Sequence, residues 1–163
     1  LGQKGALAGK TVSAFGRNSA SGTYGYFKEV ALKNGDFKDT VKEQPGSSSV
    51  VQGIAADVGA IGYSGIGYAT SGVRALPLSS DESGNFVEAN YANCLNGTYP
   101  LSRYLYVYVN KAPSKPMDKL TSEFVTFVLS KQGQEIVIKD GYFPLPSEVA
   151  DEGRASLKYY SAE

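Results

Sequence analysis

The sequence contains no histidine and a single cysteine, Cys94. Without histidine the chain cannot form a Ser-His or Cys-His catalytic pair, and it lacks the most common ligand of zinc. One cysteine cannot form a disulfide within the chain. Because no cationic residue lies close to Cys94 in the sequence, nothing there lowers the pKa of its thiol, and we expect a buried, unreactive side chain. We therefore expect no metal site and no cofactor.

The chain also has no net charge and no long apolar run. Its 16 lysine and arginine residues equal its 16 aspartate and glutamate residues, and the basic residues form no cluster. We therefore expect no nucleic-acid partner, and any bound anion must be held by local donors. No apolar run is long enough to cross a bilayer. Because the sequence starts at Leu1 rather than at methionine, we expect it to be part of a longer or processed chain.

The composition that remains is that of a folded α/β protein. Of the 163 residues, 42% are hydrophobic and 12% aromatic, which is enough for a core. Periodicity and turn signals predict strands at 11–15, 40–43, 60–63 and 101–110, with an edge strand at 73–78. They predict a helix that ends near 33 and a second helix that starts at 46–49 and carries an apolar stripe from 50 to 58. Further helices are predicted at 88–95, at 117–128 with a turn near 132–133 and a stop at 140–141, and at 147–160.

Strands alternate with helices over the first 63 residues. This order predicts a parallel or mixed sheet with helices on both faces. In such sheets, ligands bind beyond the carboxyl ends of the strands. The turn that follows the first predicted strand is therefore the place to look for a ligand site.

That turn holds Arg17, Ser21, Gly22 and Thr23. The first amides of the following helix have no partner inside the helix and carry the positive end of its dipole, so they can donate to an anion. Gly22 permits close approach to the backbone, the two hydroxyls add donors, and the planar guanidinium of Arg17 can bind two oxygens of a tetrahedral anion.

A second interpretation of the same turn requires no ligand. Ser21 or Ser19 can simply cap the helix, and an arginine nearby can be a solvated surface charge. The predicted sheet topology favours the anion site, because it places this turn at the edge where ligands bind. The serines at 47–49 are most simply another helix cap, although they could border the same cleft.

Four short motifs occur in the order found in a known family. The sequence resembles the phosphate-binding proteins that deliver phosphate to ABC-type importers, which are a branch of the two-lobed type II periplasmic binding proteins. The resemblance runs over residues 8–160 and rests on Arg17-x-x-x-Ser21-Gly22-Thr23, Pro-Gly-Ser-Ser-Ser-Val (45–50) with Gly-Ala-Ile-Gly-Tyr (59–63), Tyr-Pro-Leu (99–101) and Gly-Tyr-Phe-Pro-Leu-Pro (141–146).

The resemblance implies a fold, a function and a location. It implies a lobe like those of type II periplasmic binding proteins, with a mixed sheet flanked by helices, over residues 1–97. Residues 98–163 would form a returning hinge strand and helices that pack on a first lobe. The implied function is non-enzymatic binding of inorganic phosphate by Arg17, Ser21, Gly22 and Thr23, outside the cytoplasm in the periplasm or extracellular space, for a membrane ABC permease.

Members of this family are longer at the N-terminus, so the resemblance also implies that most of the first lobe is missing. The carboxylate that accepts the proton of hydrogen phosphate would belong to that lobe, since the turn itself contains none. The apolar stripe of the helix after residue 116 would then lack its partner. We expect it to be covered by the missing lobe, by a second copy of the chain in a dimer or swapped assembly, or by a companion chain.

Two other functional classes remain as alternatives. One is a secreted phosphatase or related hydrolase with Ser21 or Ser19 as nucleophile, which the absence of histidine disfavours. The other is an extracellular interaction module that keeps the fold without transport.

Overall fold

The strand predicted at the start of the chain is present as β1 (Ser13–Arg17), two residues later than expected. The computed structural model describes residues 4–113 and 115–159, which divide into two units after Arg103. In the first unit, β1 lies between β2 (Lys42–Gln44) and β3 (Ala60–Gly62), and both neighbours run parallel to it. The predicted α/β class is confirmed.

Two helices cover the two faces of this sheet. They are α1 (Gly22–Val30) and α2 (Ser47–Ala55). A Cβ atom added at Gly16 would meet the Tyr63 ring at 2.9 Å, and that ring stacks on Phe27 of α1 at 4.1 Å. Phe15, the residue before Gly16, instead points its ring at Gly53 of α2. Because successive side chains of a strand face opposite sides, α1 and α2 lie on opposite faces of the sheet.

Both helices end earlier than predicted. Helix α1 ends at Val30 rather than near residue 33, because Lys33 and Asn34 adopt positive φ angles of 52° and 65° that a right-handed helix excludes. Helix α2 buries Val50 and Val51, as its stripe predicts. The stripe does not extend to Val58, which is 91% exposed, because α2 has ended at Ala55.

The rest of the first unit has little regular structure. It contains a 3₁₀ turn at Ile66–Tyr68 and a short helix, α3 (Tyr91–Leu95), which begins three residues after the predicted start. The predicted edge strand at 73–78 is wrong except for one antiparallel bridge between Leu78 and Val87. Cys94, on α3, is half-buried, and burial raises the pKa of its thiol, in keeping with an unreactive side chain.

The most strongly patterned segment of the sequence, 101–110, is not a strand. Among the described residues no other segment pairs with it, and its side chains are largely exposed, with Tyr108 at 92%. A strand is defined by hydrogen bonds to a neighbour, so an aromatic and β-branched sequence without a partner forms no sheet. This prediction is wrong for the structure of this chain.

The described residues of the second unit form three helices, α4 (Lys119–Val128), α5 (Lys131–Lys139) and α6 (Ser147–Tyr159). The turn expected near 132–133 lies instead at Leu129 and Ser130, where Ser130 caps α5 by accepting from the Gly133 amide at 3.2 Å. An added Cβ at Gly133 would strike the carbonyl oxygen of Phe127. This glycine therefore serves close packing of α4 and α5 rather than a turn. The predicted stop at 140–141 is confirmed, with Gly141 at φ 84°.

Helix α4 exposes an apolar face. Leu120 is 81% exposed, and the rings of Phe124 and Phe127 are about half exposed. Within the described ranges, no helix combines the length and the apolarity needed to cross a membrane. The face therefore consists of a few large side chains on one short helix.

Candidate functional site

The turn after β1 is built around Ser21. Its amide donates to the Asn18 carbonyl at 3.0 Å, which closes the turn, and its Oγ accepts from the Thr23 amide at 3.2 Å. Ser21 is thus the N-cap of α1, in extended conformation, and its side chain is buried. Of the two serines that could cap this helix, the structure uses Ser21 and not Ser19.

This cap changes which donors are free. The Thr23 amide, expected to face a ligand, already donates to Ser21 Oγ. Gly22 is the first residue of α1, so its amide has no partner inside the helix and carries part of the positive end of the dipole. The Ser21 hydroxyl accepts from Thr23 and keeps its own proton to donate. The turn therefore has one free backbone donor fewer than the sequence predicts, because the Thr23 amide is engaged.

Arg17 ends β1 and turns its guanidinium toward α2. Its Nη1 donates to Ser47 Oγ at 2.9 Å, whereas its Nε is buried and meets no acceptor within the described part of the chain. Among those residues no carboxylate lies within 4.0 Å of this guanidinium, which thus has no ion-pair partner. The guanidinium thus lies at the N-terminus of α2. A guanidinium without an ion-pair partner at a helix N-terminus favours binding of an anion.

The sequence left two roles open for Ser47, a helix cap or a place at the border of the cleft. Helix α2 is capped by Gly46, which has no side chain to cap with, so the serines at 47–49 are not its N-cap. Ser47 is the first residue of the helix and is 7% exposed. The prediction that this cluster is a simple cap is wrong for Ser47, which contacts Arg17 instead.

The backbone of Arg17 is held from the other face of the sheet. Its amide donates to the Tyr63 hydroxyl at 3.2 Å, and that hydroxyl lies 3.5 Å from the Arg17 carbonyl oxygen. The Tyr63 ring stacks on Phe27 and lies 5.8 Å from Phe37, centroid to centroid. Burial raises the pKa of the Tyr63 hydroxyl. The start of the turn is thus fixed by packed aromatic rings.

A second guanidinium lies near the same helix start. Arg103 Nη2 is 3.7 Å from the place where a Cβ on Gly22 would stand, and Arg103 Cζ lies 5.0 Å from the centre of the Tyr26 ring. The Tyr26 hydroxyl donates to the Ser102 carbonyl at 2.9 Å, which ties this part of the chain to α1. Sequence reasoning missed Arg103 because nothing in the sequence relates it to a turn 80 residues earlier.

A cleft of about 260 Å³ also borders Arg17, and acidic residues outnumber basic ones in its lining. The residues that line it with Arg17 are three carboxylates, one lysine, two aromatic residues and a valine: Asp36, Asp39, Glu43, Lys38, Tyr24, Phe37 and Val41. Ser21, Gly22 and Thr23 do not line it. The surplus of negative charge disfavours an anion in this cleft.

Comparison with known proteins supports the resemblance seen in the motifs. A family model described as a PBP superfamily domain matches residues 3–132. The phosphate-binding protein PstS of Pseudomonas aeruginosa PAO1 is 60% identical over 157 residues, which cover 96% of this chain and 49% of that protein. Phosphate-binding protein PstS 2 of Streptococcus pneumoniae TIGR4 is 31% identical over 152 residues, covering 88% of this chain and 49% of that one.

A solved structure agrees with these matches. The structure of a possible phosphate binding protein from Planctomyces limnophilus aligns with a TM-score of 0.68 and 30% identity, over 91% of this chain and 54% of that one. The chain thus spans about half the length of the curated relatives it matches. On the match of the family model to most of its residues, the chain belongs to the PBP superfamily.

Proposed function

We propose that the chain is the ligand-binding half of a substrate-binding protein that captures inorganic phosphate for ABC-type import. The observation that carries the proposal is the guanidinium of Arg17, which has no ion-pair partner among the described residues. Arg17 is the last residue of the central strand, before the turn that leads to α1, and its guanidinium donates to Ser47 at the start of α2. Anions bind at such helix starts because free amides and the dipole favour negative charge.

In this proposal four residues bind the ligand. Arg17 donates to two phosphate oxygens through charge-assisted hydrogen bonds, and the Ser21 and Thr23 hydroxyls donate to others. The Gly22 amide adds a backbone donor, and the missing side chain there leaves room for the anion. The Thr23 amide joins them only if the ligand displaces its bond to Ser21 Oγ, which is 3.2 Å long.

The relatives support phosphate as the ligand. Proteins that share 60% and 31% of aligned residues with this chain are named for phosphate binding. We propose by this likeness that residues 1–97 form one lobe, that residues 98–163 form a hinge strand and helices for the other, and that the protein acts outside the cytoplasm with a membrane permease. Closure of two lobes over the ion would be the switch that the permease recognises.

Binding without catalysis is the proposal, and the site supports it over a phosphatase. A serine nucleophile needs a neighbouring base, and the chain contains no histidine. Ser21 Oγ is engaged as an acceptor by the Thr23 amide rather than facing a base. We therefore propose that the same cradle binds phosphate and releases it unchanged.

The first lobe supplies the rest of the site in this proposal. Each hydrogen bond to a charged ligand contributes about 1.5–3 kcal/mol, so losing several of them weakens binding by orders of magnitude. We propose that this lobe also covers the exposed face of α4, with a second copy of the chain taking its place when the lobe is absent. Binding should therefore be measured on the complete protein.

The test is calorimetric titration of inorganic phosphate into the complete protein and into two arginine variants. We expect Arg17→Ala to weaken binding at least tenfold, because a charge-assisted pair is lost, with an unchanged circular dichroism spectrum. The matched control is Arg74→Ala, since Arg74 is an exposed arginine of the same unit. Equal phosphate affinity in the Arg17→Ala and Arg74→Ala variants would show that Arg17 is a surface charge and would refute the proposal.

A further inference from the structure

We infer that Ser47 is a positioning residue for the anion site: its hydroxyl holds the Arg17 guanidinium in the orientation that binds the ligand. The inference rests on the proposed function and adds to it a residue 30 positions away, on another helix. It concerns how Arg17 is presented, and Ser47 need not touch the ligand.

A hydrogen bond joins the Arg17 guanidinium to Ser47. Arg17 Nη1 donates to Ser47 Oγ at 2.9 Å, a normal length for this pair of atoms. Arg17 Nε is buried and has no acceptor in the described ranges. The Ser47 bond is therefore the identified contact that fixes the rotation of the guanidinium about its long side chain.

The Ser47 hydroxyl that makes this contact is held rigidly. Ser47 is 7% exposed and is the first residue of α2, which follows β2 after two residues. Its neighbours Val50 and Val51 are the most buried apolar residues of the unit. A hydroxyl fixed in this way is a stable anchor, whereas a solvent-exposed one would not orient a flexible side chain.

The group that accepts the hydrogen bond from Arg17 is neutral. A serine hydroxyl accepts a hydrogen bond from Arg17 and leaves the positive charge of the guanidinium in place, whereas a carboxylate would neutralise that charge. The guanidinium thus keeps its full attraction for an anion while one of its amino groups is engaged. Arg17 must bind and release a charged ligand in this proposal. A neutral, buried and short side chain such as Ser47 can orient it without competing for its charge.

Burial of Ser47 could instead serve the start of α2 alone, and the test separates the two roles. The neighbouring Ser48 is exposed on the same helix turn, so Ser48→Ala is a matched control for the loss of a hydroxyl. Alanine is a good helix former, so neither substitution should unfold α2. Phosphate affinity is measured by calorimetry on the complete protein carrying Ser47→Ala, Ser48→Ala or Arg17→Ala, and on the double variant Ser47→Ala/Arg17→Ala.

We expect Ser47→Ala to weaken phosphate binding about three- to tenfold, which matches the net contribution of a typical hydrogen bond, and Ser48→Ala to leave it unchanged. In the Arg17→Ala background we expect Ser47→Ala to have no further effect, because the group it orients is gone. The Arg17 Nε–Hε resonance should also shift in Ser47→Ala before any phosphate is added.

Two results would overturn the inference. One is equal affinity in Ser47→Ala and Ser48→Ala while Arg17→Ala loses at least tenfold, which would leave the proposed function intact. The other is the same loss from Ser47→Ala with and without Arg17, which would assign Ser47 to the structure of α2 alone. An Arg17→Ala variant that binds phosphate normally would refute the proposed function itself.

Discussion

Residues 13–17 and residues 101–110 belong to segments that the sequence predicts as strands, but their structures differ. The first segment is the central strand of a sheet, although it contains one aromatic residue, whereas the second contains three tyrosines and pairs with no described segment. The difference lies in the neighbours: β2 and β3 both reach the first segment within the unit. Strand propensity describes how well a side chain fits a sheet, and the sheet itself must come from other residues.

The apolar helices of the two units repeat this contrast. Helix α2 buries Val50 and Val51 at the sheet, whereas α4 leaves Leu120 and Phe124 exposed. Large contiguous apolar surfaces on soluble proteins usually mark an interface. The exposed segment 101–110 and the exposed apolar face of α4 thus support the same proposal, that a further part of the protein or a second chain covers both.

The largest expected effect concerns hydrogen exchange of the two strand-like segments. In the 163-residue chain we expect the amides of 104–110 to exchange without protection, while those of β1 (Ser13–Arg17) that bond to neighbouring strands are protected. In the complete protein we expect 104–110 to gain at least about a hundredfold protection by pairing with a strand of the first lobe. Mass spectrometry of exchanged peptides measures both segments at once.

Protection of β1 in both samples is the internal control for that experiment. Strong protection of 104–110 in the isolated chain would show that the segment already has a partner, so that it would not differ from β1. Lack of protection in both samples would remove the proposed hinge strand.

The exposed face of α4 gives the next expected effect. At micromolar concentration we expect the isolated chain to form a species of about twice the monomer mass, because burial of large apolar side chains favours association. Replacing Leu120 and Phe124 together by serine should return the chain to a monomer, as measured by light scattering. Glu123→Ser, an exposed polar change on the same helix, is the control and should leave the mass unchanged. A monomeric unmodified chain would contradict this prediction.

The smallest expected effect tests the tight packing of the paired sheet. Gly62 pairs with Phe15, and a Cβ there would lie 2.5 Å from the Phe15 carbonyl oxygen and 2.9 Å from Ile54 Cδ1. We expect Gly62→Ala to lower the free energy of unfolding by about 1–3 kcal/mol, because backbone atoms must shift. Urea denaturation measures the change.

Gly25→Ala is the matched control for that substitution. Gly25 lies within α1, and a Cβ there would meet nothing within 4 Å. We expect this change to raise the free energy of unfolding by about 0.5–1 kcal/mol, since alanine favours a helix over glycine. If both variants were stabilised, the close approach of β1 and β3 would be wrong.

Local sequence signals predicted local structure well. The capping hydroxyl of Ser21, the start of α2 after Gly46 and the stop at Gly141 each depend on a few adjacent residues. Local signals failed where a distant partner decides the outcome. The segment 101–110 has the residues of a strand, but no described segment lies beside it to pair with.

The candidate site divides in the same way. Arg17, Ser21, Gly22 and Thr23 are close in sequence, and their grouping follows from one turn. The contact of Arg17 with Ser47 could not be predicted, because it joins residues on separate elements. The proximity of Arg103 to Gly22 could not be predicted for the same reason. The loss of the Thr23 amide as a free donor followed from capping, a role that the sequence had already suggested for Ser21.

The most direct test of the anion site is a phosphate titration of the isotope-labelled complete protein, followed through its amide and arginine side-chain resonances. We predict that the Gly22 amide and the Arg17 Nε–Hε signals shift together and saturate at the affinity found by calorimetry. Phosphate binding at that affinity with both signals unmoved would contradict an anion site at this turn, because the ligand would then be held elsewhere.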